Sequence, residues 1–378
     1  MPKKLHVLFL CGWYPSVILP TNGDFIQRHA EAVSLKHKVS VLHIITDKPG
    51  TKKIKYSKEI VNTVATHIAY LPFTKNPFLK VYLFFAAFNH LIKKIDVFDV
   101  VHLNEIYPFG TFSLYLKWFQ KKPFIISEHF TGYHKPASNN LGHLRKLVSK
   151  IITKNAAFVC PVSDNLKASL LDLGFKGTYK KVPNVVDTNL FKPNKNTNKT
   201  FTIVHVSNMI NAHKNVKGIL KVVRKLQDQT PNFLFKCIGE NANKYADFAE
   251  ELGISNTNIE FKDQIKHTEV AAEIAKSNLF VLFSNYENLP CVILEAFSCG
   301  VPVISSTVGG IHEYFPDDFG TLIAPRDEGA LLKAITTKKQ QHVANKTKMH
   351  NYVIANFSKE KIATDFEKLY YKALKEQI

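Results

Sequence analysis

No stretch of this 378-residue chain reaches about 18 uninterrupted apolar residues, so no segment is a candidate membrane-spanning helix. Cysteine is scarce as well. Cys11, Cys160, Cys237, Cys291 and Cys299 are scattered, odd in number and without a CxxC pair. That pattern speaks against a disulfide frame or a zinc site and fits reduced core residues of a cytosolic protein. The apolar run Leu5–Leu10 has only strand length and lacks a small-residue cleavage site, so it does not read as a signal peptide. Acidic residues are short in one half only. Residues 1–185 carry 26 Lys+Arg against 10 Asp+Glu, a balance of +16, whereas 186–378 carry 24 against 21, a balance of +3. Such asymmetry points to an anionic partner for the first half: nucleic acid, an anionic membrane or a phosphorylated substrate.

What is present suffices for two domains. The length exceeds that of one ordinary core, and a chain that is 45% hydrophobic can fill two. In the first half, short apolar runs at 5–10, 39–45, 97–102, 124–127 and 157–162 read as strands. Helices are expected from Phe25, with Asp24 as N-cap, and over 109–119. The second half repeats the rhythm, with strands at 201–207, 233–238, 259–261, 279–283 and 301–305. Its helices fall at 215–228, 242–252, 267–276, 291–298 and 327–340. This alternation predicts two Rossmann-like, doubly wound α/β domains facing each other across a cleft. The first spans 1–185 and the second 186–357. The linker 181–193 and the polar tract Asn194–Thr200 mark the boundary region. A last amphipathic helix, about 358–378, starts at Ser358 and is expected to return to the first domain. Segment 77–95 reads as an aromatic-rich helix, either packed on the first sheet or resting apolar surface and lysines on an anionic bilayer.

Glu287 and Glu295 are the most informative pair. Glu287 lies just past the carboxyl end of strand 279–283, and Glu295 lies on the helix that follows, where open parallel sheets bind ligands. Two carboxylates with no basic residue between them suit sugar or ribose hydroxyls. A solvated loop acid plus an acid near a helix start explains the same spacing. Other candidates carry similar alternatives. Gly23, in a loop before a helix, allows close approach of a phosphate or simply makes a turn. Glu128-His129 ends strand 124–127, where His129 serves a substrate hydroxyl or the fold, and Glu128 supports the loop. Lys214 precedes the helix beginning near Asn215, a diphosphate-binding position or one more surface lysine. Gly239, at the end of strand 233–238, either packs against a nucleotide or turns the chain. The amides of Asn288 and Leu289 face the same crevice, while Gly309-Gly310 is expected only to turn the chain after the final strand.

Taken in order, these segments resemble glycosyltransferase family 4. The run from Tyr286-Glu287-Asn288-Leu289-Pro290 through Glu295 to Gly309-Gly310 resembles its E-x7-E signature. Gly23-Asp24-Phe25 matches the family's glycine loop and Ser127-Glu128-His129 its Ser/Thr-Glu-His segment. Pro183-Asn184 resembles its linker, His213-Lys214-Asn215 its phosphate-binding lysine, and Ile238-Gly239-Glu240 its glycine-ended strand. The resemblance implies the GT-B fold and a retaining, nucleotide-sugar-dependent transferase. It assigns Glu295 to the ribose hydroxyls, Glu287 to a donor-sugar hydroxyl with Asn288 and Leu289 beside it, and Lys214 to the diphosphate. Gly23 would contact the diphosphate from the first domain, and His129 the donor sugar near the reacting carbon. One departure stands out. Where the family commonly has an arginine after strand 201–207, this chain has Asn208, which donates a hydrogen bond but brings no charge.

The expected chemistry is departure of a nucleoside diphosphate, UDP or GDP, from the donor sugar through an oxocarbenium-like transition state. No DxD motif is present, so no metal or other cofactor is expected. The basic first half is expected to bind a glycan or lipid-linked acceptor, as in bacterial surface-polysaccharide synthesis. The protein is then cytoplasmic and peripheral on the inner face of the plasma membrane. Two other readings compete: a nucleotide-sugar epimerase on the same fold, and a basic nucleic-acid-binding protein, for which no recognition motif is found.

Overall fold

The computed structural model describes residues 3–48, 50, 52–194, 200–340 and 345–375. The chain divides into two compact units. Described residues of Met1–Val185 and Lys359–Ile378 form the first, and those of Val186–Ser358 the second. Most of the polar tract Asn194–Thr200 lies outside the described residues, as does the end of the last helix beyond 375.

The first unit runs β1 (His6–Cys11), α1 (Asp24–Ser34), β2 (Lys38–Asp47), β3 (Lys55–Val61), β4 (Val64–Pro72), α2 (Pro77–Ile92), β5 (Val100–Asn104), α3 (Gly110–Gln120), β6 (Phe124–Glu128), α4 (His143–Asn155), β7 (Phe158–Pro161) and α5 (Asp164–Asp172). Its sheet has the order β3-β4-β2-β1-β5-β6-β7, parallel except for β3, which pairs antiparallel with β4. The central strand β1 is buried along its whole length, as a strand covered on both faces must be. Its alternate residues Val7, Phe9 and Cys11 belong to a core that also includes Ile26 and Ala30 of α1. Each large side chain so buried contributes about 1.5–3 kcal/mol. Asn76 caps α2, its Oδ1 accepting from Phe78 N at 2.9 Å and Leu79 N at 3.2 Å. Ser163 caps α5 through Leu166 N at 3.0 Å.

The second unit runs β8 (Thr202–Val206), α6 (Asn211–Lys214), α7 (Val216–Gln229), β9 (Leu234–Ile238), α8 (Ala246–Glu251), β10 (Ile259–Lys262), α9 (His267–Lys276), β11 (Leu279–Leu282), α10 (Cys291–Ser298), β12 (Val303–Ser306), β13 (Gly320–Ile323), α11 (Glu328–Gln340) and α12 (Lys346–Phe357). Its six strands are all parallel in the order β10-β9-β8-β11-β12-β13. Two strands run outward from β8 on one side and two from β11 on the other, which is the Rossmann arrangement. The last helix, α13 (Lys359–Lys375), rejoins the first unit. Its Ile362, Phe366, Leu369 and Tyr370 fill the α1 side of that core, and Lys36 pairs with Glu367 at 2.7 Å.

Four details depart from the sequence expectation. Gly23, not Asp24, is the N-cap of α1; Asp24 begins the helix, its Oδ1 accepts from Phe25 N, and its Oδ2 pairs with Arg28 at 3.0 Å. Residues 242–252 are a short 3-10 turn over 242–245 followed by α8, rather than one helix. The strand predicted at 301–305 is not the last, because β13 pairs beyond it. The hairpin β3–β4 was not anticipated at all. The described cysteines are free, four of them buried. No helix among the described residues is long and apolar enough to cross a membrane.

Candidate active site

Strand order reverses at β8/β11 in the second unit and at β1/β5 in the first. Ligands of open α/β sheets bind beyond the strands' carboxyl ends at such reversals. The candidate residues collect around these two places.

In the second unit, residues 283–290 connect β11 to α10, and neighbouring segments pin this loop. Ser306 Oγ donates to Ser284 O at 2.6 Å. Asn285 N donates to His213 O at 2.7 Å and Asn285 Nδ2 to Ala212 O at 3.0 Å, which fastens α6 to the loop. Gly310 N donates to Asn288 O at 2.8 Å. Gly309 has φ +58°, and a Cβ there would collide with the Glu287 carbonyl oxygen. The glycine pair therefore supports the Glu287 loop as well as turning the chain.

So held, Glu287 is 9% exposed, accepts from Ser284 Oγ at 2.8 Å and forms an ion pair with Lys214. Lys214 precedes the helix expected near Asn215, here α7, but belongs to a short helix of its own. It ends the four-residue α6, and Asn215, at φ 51°, turns the chain into α7. The lysine is thereby aimed at the loop after β11. Asn208 is exposed in the loop after β8, its Oδ1 accepting from Ile210 N at 3.3 Å. Gly239 has φ +145°, and a Cβ there would strike Ser207 O. The close backbone approach and the positive φ both call for glycine here. Leu289 and Asn288 are buried in the same loop as Glu287.

Glu295, on α10, is almost fully buried. His267 Nε2, at the start of α9, lies 3.5 Å from its Oε1. The sequence predicted α9 correctly but gave no sign that its first residue meets this carboxylate. Arg326, in the turn after β13 with φ +64°, donates from Nε to Asn285 Oδ1 at 3.0 Å. An arginine thus reaches the β11–α10 loop from a place far along the chain from position 208.

In the first unit, Gly23 has φ +76° and lies against the Trp13 backbone, where a Cβ would not fit. Phe25, two residues on, has its ring 4.6 Å from that of His129 and 6.3 Å from that of Trp13. Gly23 and His129 thus belong to one cluster. Burial and the neighbouring His29 hold His129 well below the usual histidine range, so it is neutral at physiological pH. A neutral imidazole can donate or accept a hydrogen bond but is not a charged acid. Glu128 holds this corner. Its Oε1 accepts from His129 N and Phe130 N at 2.7 Å each, and its Oε2 from Ile106 N at 2.9 Å.

Glu105 was missed in the sequence. It follows β5 at the strand reversal, has φ +77°, and fills the space beside Gly12 at the end of β1. Burial, reinforced by Glu128, pushes its carboxyl up to about 8. Arg145 of α4 lies 3.9 Å away, with its guanidinium over the Phe130 ring at 4.7 Å. Its position directly after a buried strand beside the reversal was the available signal.

The architecture is that of GT-B proteins. Over 99% of this chain and 100% of the other, the structure is similar to a sucrose-phosphate synthase from Thermosynechococcus elongatus, with a TM-score of 0.76 at 18% identity. It is also similar to Anabaena Alr3699/HepE, solved with UDP and glucose, with a TM-score of 0.72 at 15% identity over 96% of this chain and 98% of that one. Residues 187–360 match the family described as Glycosyl transferases group 1, and residues 27–190 match Glycosyltransferase Family 4. The chain belongs to glycosyltransferase family 4. A curated relative from Arabidopsis thaliana, a component of phosphatidylinositol N-acetylglucosaminyltransferase, is 30% identical over 201 residues, 51% of this chain. That match spans only 44% of the relative's own length.

Proposed function

We propose that this protein transfers a sugar, with retention of configuration, from a nucleoside diphosphate sugar to an acceptor hydroxyl. The observation that carries the reading is the convergence of Lys214 and Glu287 at the second unit's strand reversal, with Glu295 on the next helix. In this reading the donor's diphosphate draws on Lys214, so that the cation now held by Glu287 is shared with the leaving group. Glu287 accepts from a sugar hydroxyl, with the loop amides of Asn288 and Leu289 beside it. Glu295 accepts from the ribose hydroxyls, with His267 adjacent. Asn208 donates a hydrogen bond where a charge is commonly found. Gly239 shapes the floor of the nucleotide site. Lys214 supplies the stabilisation of negative charge that a metal would otherwise give, so the reaction is expected to run without one. Attack by the acceptor on the face the diphosphate leaves, with a diphosphate oxygen taking the acceptor's proton, accounts for retention. Gly23 and the neutral His129 are the first unit's candidates for donor contacts.

The donor class is supported by HepE, which was solved with UDP and glucose. A hexosyl or N-acetylhexosaminyl donor and a lipid-linked acceptor are supported by the name of the Arabidopsis relative, an N-acetylglucosaminyltransferase of phosphatidylinositol. The +16 balance of residues 1–185 favours an acceptor carrying phosphate at an anionic membrane, as in surface-polysaccharide assembly. A transfer assay with UDP- and GDP-sugars tests the reading. Wild-type turnover in the presence of a chelator is expected, with loss of about 100-fold or more in kcat for Glu287→Ala and Lys214→Ala. Full activity in either variant contradicts the assignment, and interconversion of the nucleotide sugar without transfer would indicate an epimerase.

A further inference from the structure

Helices α2, α3 and α4 lie side by side on the first unit's sheet. Phe88 of α2 stacks on Phe112 of α3 at 4.1 Å, Phe85 meets the same ring edge-on at 5.2 Å, and Lys117 Nζ of α3 donates to Asn155 O at the end of α4 at 2.6 Å. The outward surface of this layer is apolar on every helix. Phe78 (84% exposed) and Tyr82 stand on α2, Trp118 and Phe119 (73%) on α3, and Leu144 (68%) and Leu147 on α4. Side chains of this kind are ordinarily turned inward, and so many left in water on three neighbouring helices mark an interaction surface.

The charge on the same three helices has one sign. None contains an aspartate or glutamate, while Lys80, Lys146, Lys150 and Lys154 lie among the apolar residues; of the remaining cations, Arg145 turns inward toward Glu105 and Lys117 is held by Asn155 O. Lysine is depleted in protein–protein interfaces, which disfavours a protein partner here. Aromatic and leucine side chains interspersed with lysines suit the boundary of an anionic bilayer. There the rings enter the headgroup region and the ammonium groups meet lipid phosphates.

We infer that the α2–α3–α4 layer is a membrane-docking surface that seats the first unit on an anionic lipid leaflet. The inference locates and deepens the membrane version of the proposed function, and it is measured without any donor sugar. Failure of docking therefore leaves the nucleotide-sugar reading standing, and failure of nucleotide binding leaves docking standing.

The test is co-sedimentation of the full chain with phosphatidylcholine vesicles, with and without a quarter of phosphatidylglycerol. Binding to the anionic vesicles and weak or no binding to the neutral ones are expected. The combined substitution Phe78→Ser, Phe119→Ser and Leu144→Ser should lower the partition coefficient by about 100-fold or more, because each removes a large apolar side chain from the lipid. Lys80→Gln with Lys146→Gln and Lys150→Gln should leave the apolar residues in place yet abolish the preference for anionic lipid. Unchanged thermal midpoints and unchanged titration of UDP or GDP would show that both variants are folded. Two results overturn the proposal: no sedimentation with anionic vesicles at low salt, or a dimer in sedimentation velocity that the serine variant dissolves while vesicle binding is absent or unaffected. The second outcome assigns the face to another copy of the chain.

Discussion

At the scale of single residues, the Lys214–Glu287 pair does two jobs that can be separated. It holds the loop after β11 and, in the proposed function, supplies the groups for the donor. With side chains 16% and 9% exposed, removing one partner leaves the other poorly solvated, at a cost of about 1–3 kcal/mol. Lys214→Met is therefore expected to lower the denaturation midpoint, and Lys214→Met with Glu287→Gln to recover most of it while remaining inactive. A double variant that regains transfer would show the pair to be structural only. Glu105 gives a second prediction. Its folded pKa, about 8, lies above the ordinary glutamate value of 4.5. The native state thus keeps a proton that the unfolded chain has lost, and stability falls as pH rises from about 4.5 through 8. Glu105→Gln should raise the thermal midpoint at pH 8 and change it little at pH 4.5. The opposite pH dependence, or none, would contradict the burial argument. The sequence singled out Glu287 because its strand and helix were both legible. Glu105 stayed hidden because its distinguishing features, a left-handed backbone and contact with Gly12, arise from tertiary packing.

At the scale of elements, the strands that read most clearly were those buried on both faces, where apolar runs are continuous. The β3–β4 hairpin escaped because β3 is mostly exposed and rich in lysine and because its turn uses Asn62-Thr63, at φ 47° and 71°. Asn-Gly is the usual signal for that left-handed turn, and threonine is a poor one. Strand β13, Gly-Thr-Leu-Ile and only partly buried, has no continuous apolar run, and α6 was too brief to show a period. The placement of α6 is what aims Lys214, so the orientation of the central cation was not readable from spacing. Gly309 offers a test at this scale. Gly309→Ala adds a Cβ against the Glu287 carbonyl at a positive φ and is expected to cost about 1–3 kcal/mol. It should also weaken donor binding, because the loop carrying Glu287 must shift. Calorimetry and donor titration on the same variant check both effects, and wild-type values for both would remove Gly309 from the site's support.

At the scale of the whole molecule, buried histidines shape the response to acid. His29 and His43 in the first unit and His205 in the second are held near 4 by burial. Their unfolded values are near 6.5, so the stability they contribute is present above that pH and is lost as pH falls toward 4. Each is expected to withdraw roughly 1–2 kcal/mol by pH 5, which urea midpoints measured at pH 7 and pH 5 will show. A midpoint that holds or rises at pH 5 would contradict this. The two-unit organisation was legible because the βα rhythm restarts, and the charge imbalance was visible in composition. That the basic surplus accompanies an apolar layer on α2, α3 and α4 required the structure. The most direct measurement is calorimetric titration of nucleoside diphosphates and their 2′,3′-dideoxy analogues into wild type and Glu295→Ala. Wild type should bind one nucleoside diphosphate, with a loss of about 10-fold or more in Glu295→Ala, while the dideoxy analogue binds both proteins equally weakly. Equal affinity of the two proteins for the ribonucleotide, or no nucleoside diphosphate binding at all, would contradict a donor site on the second unit.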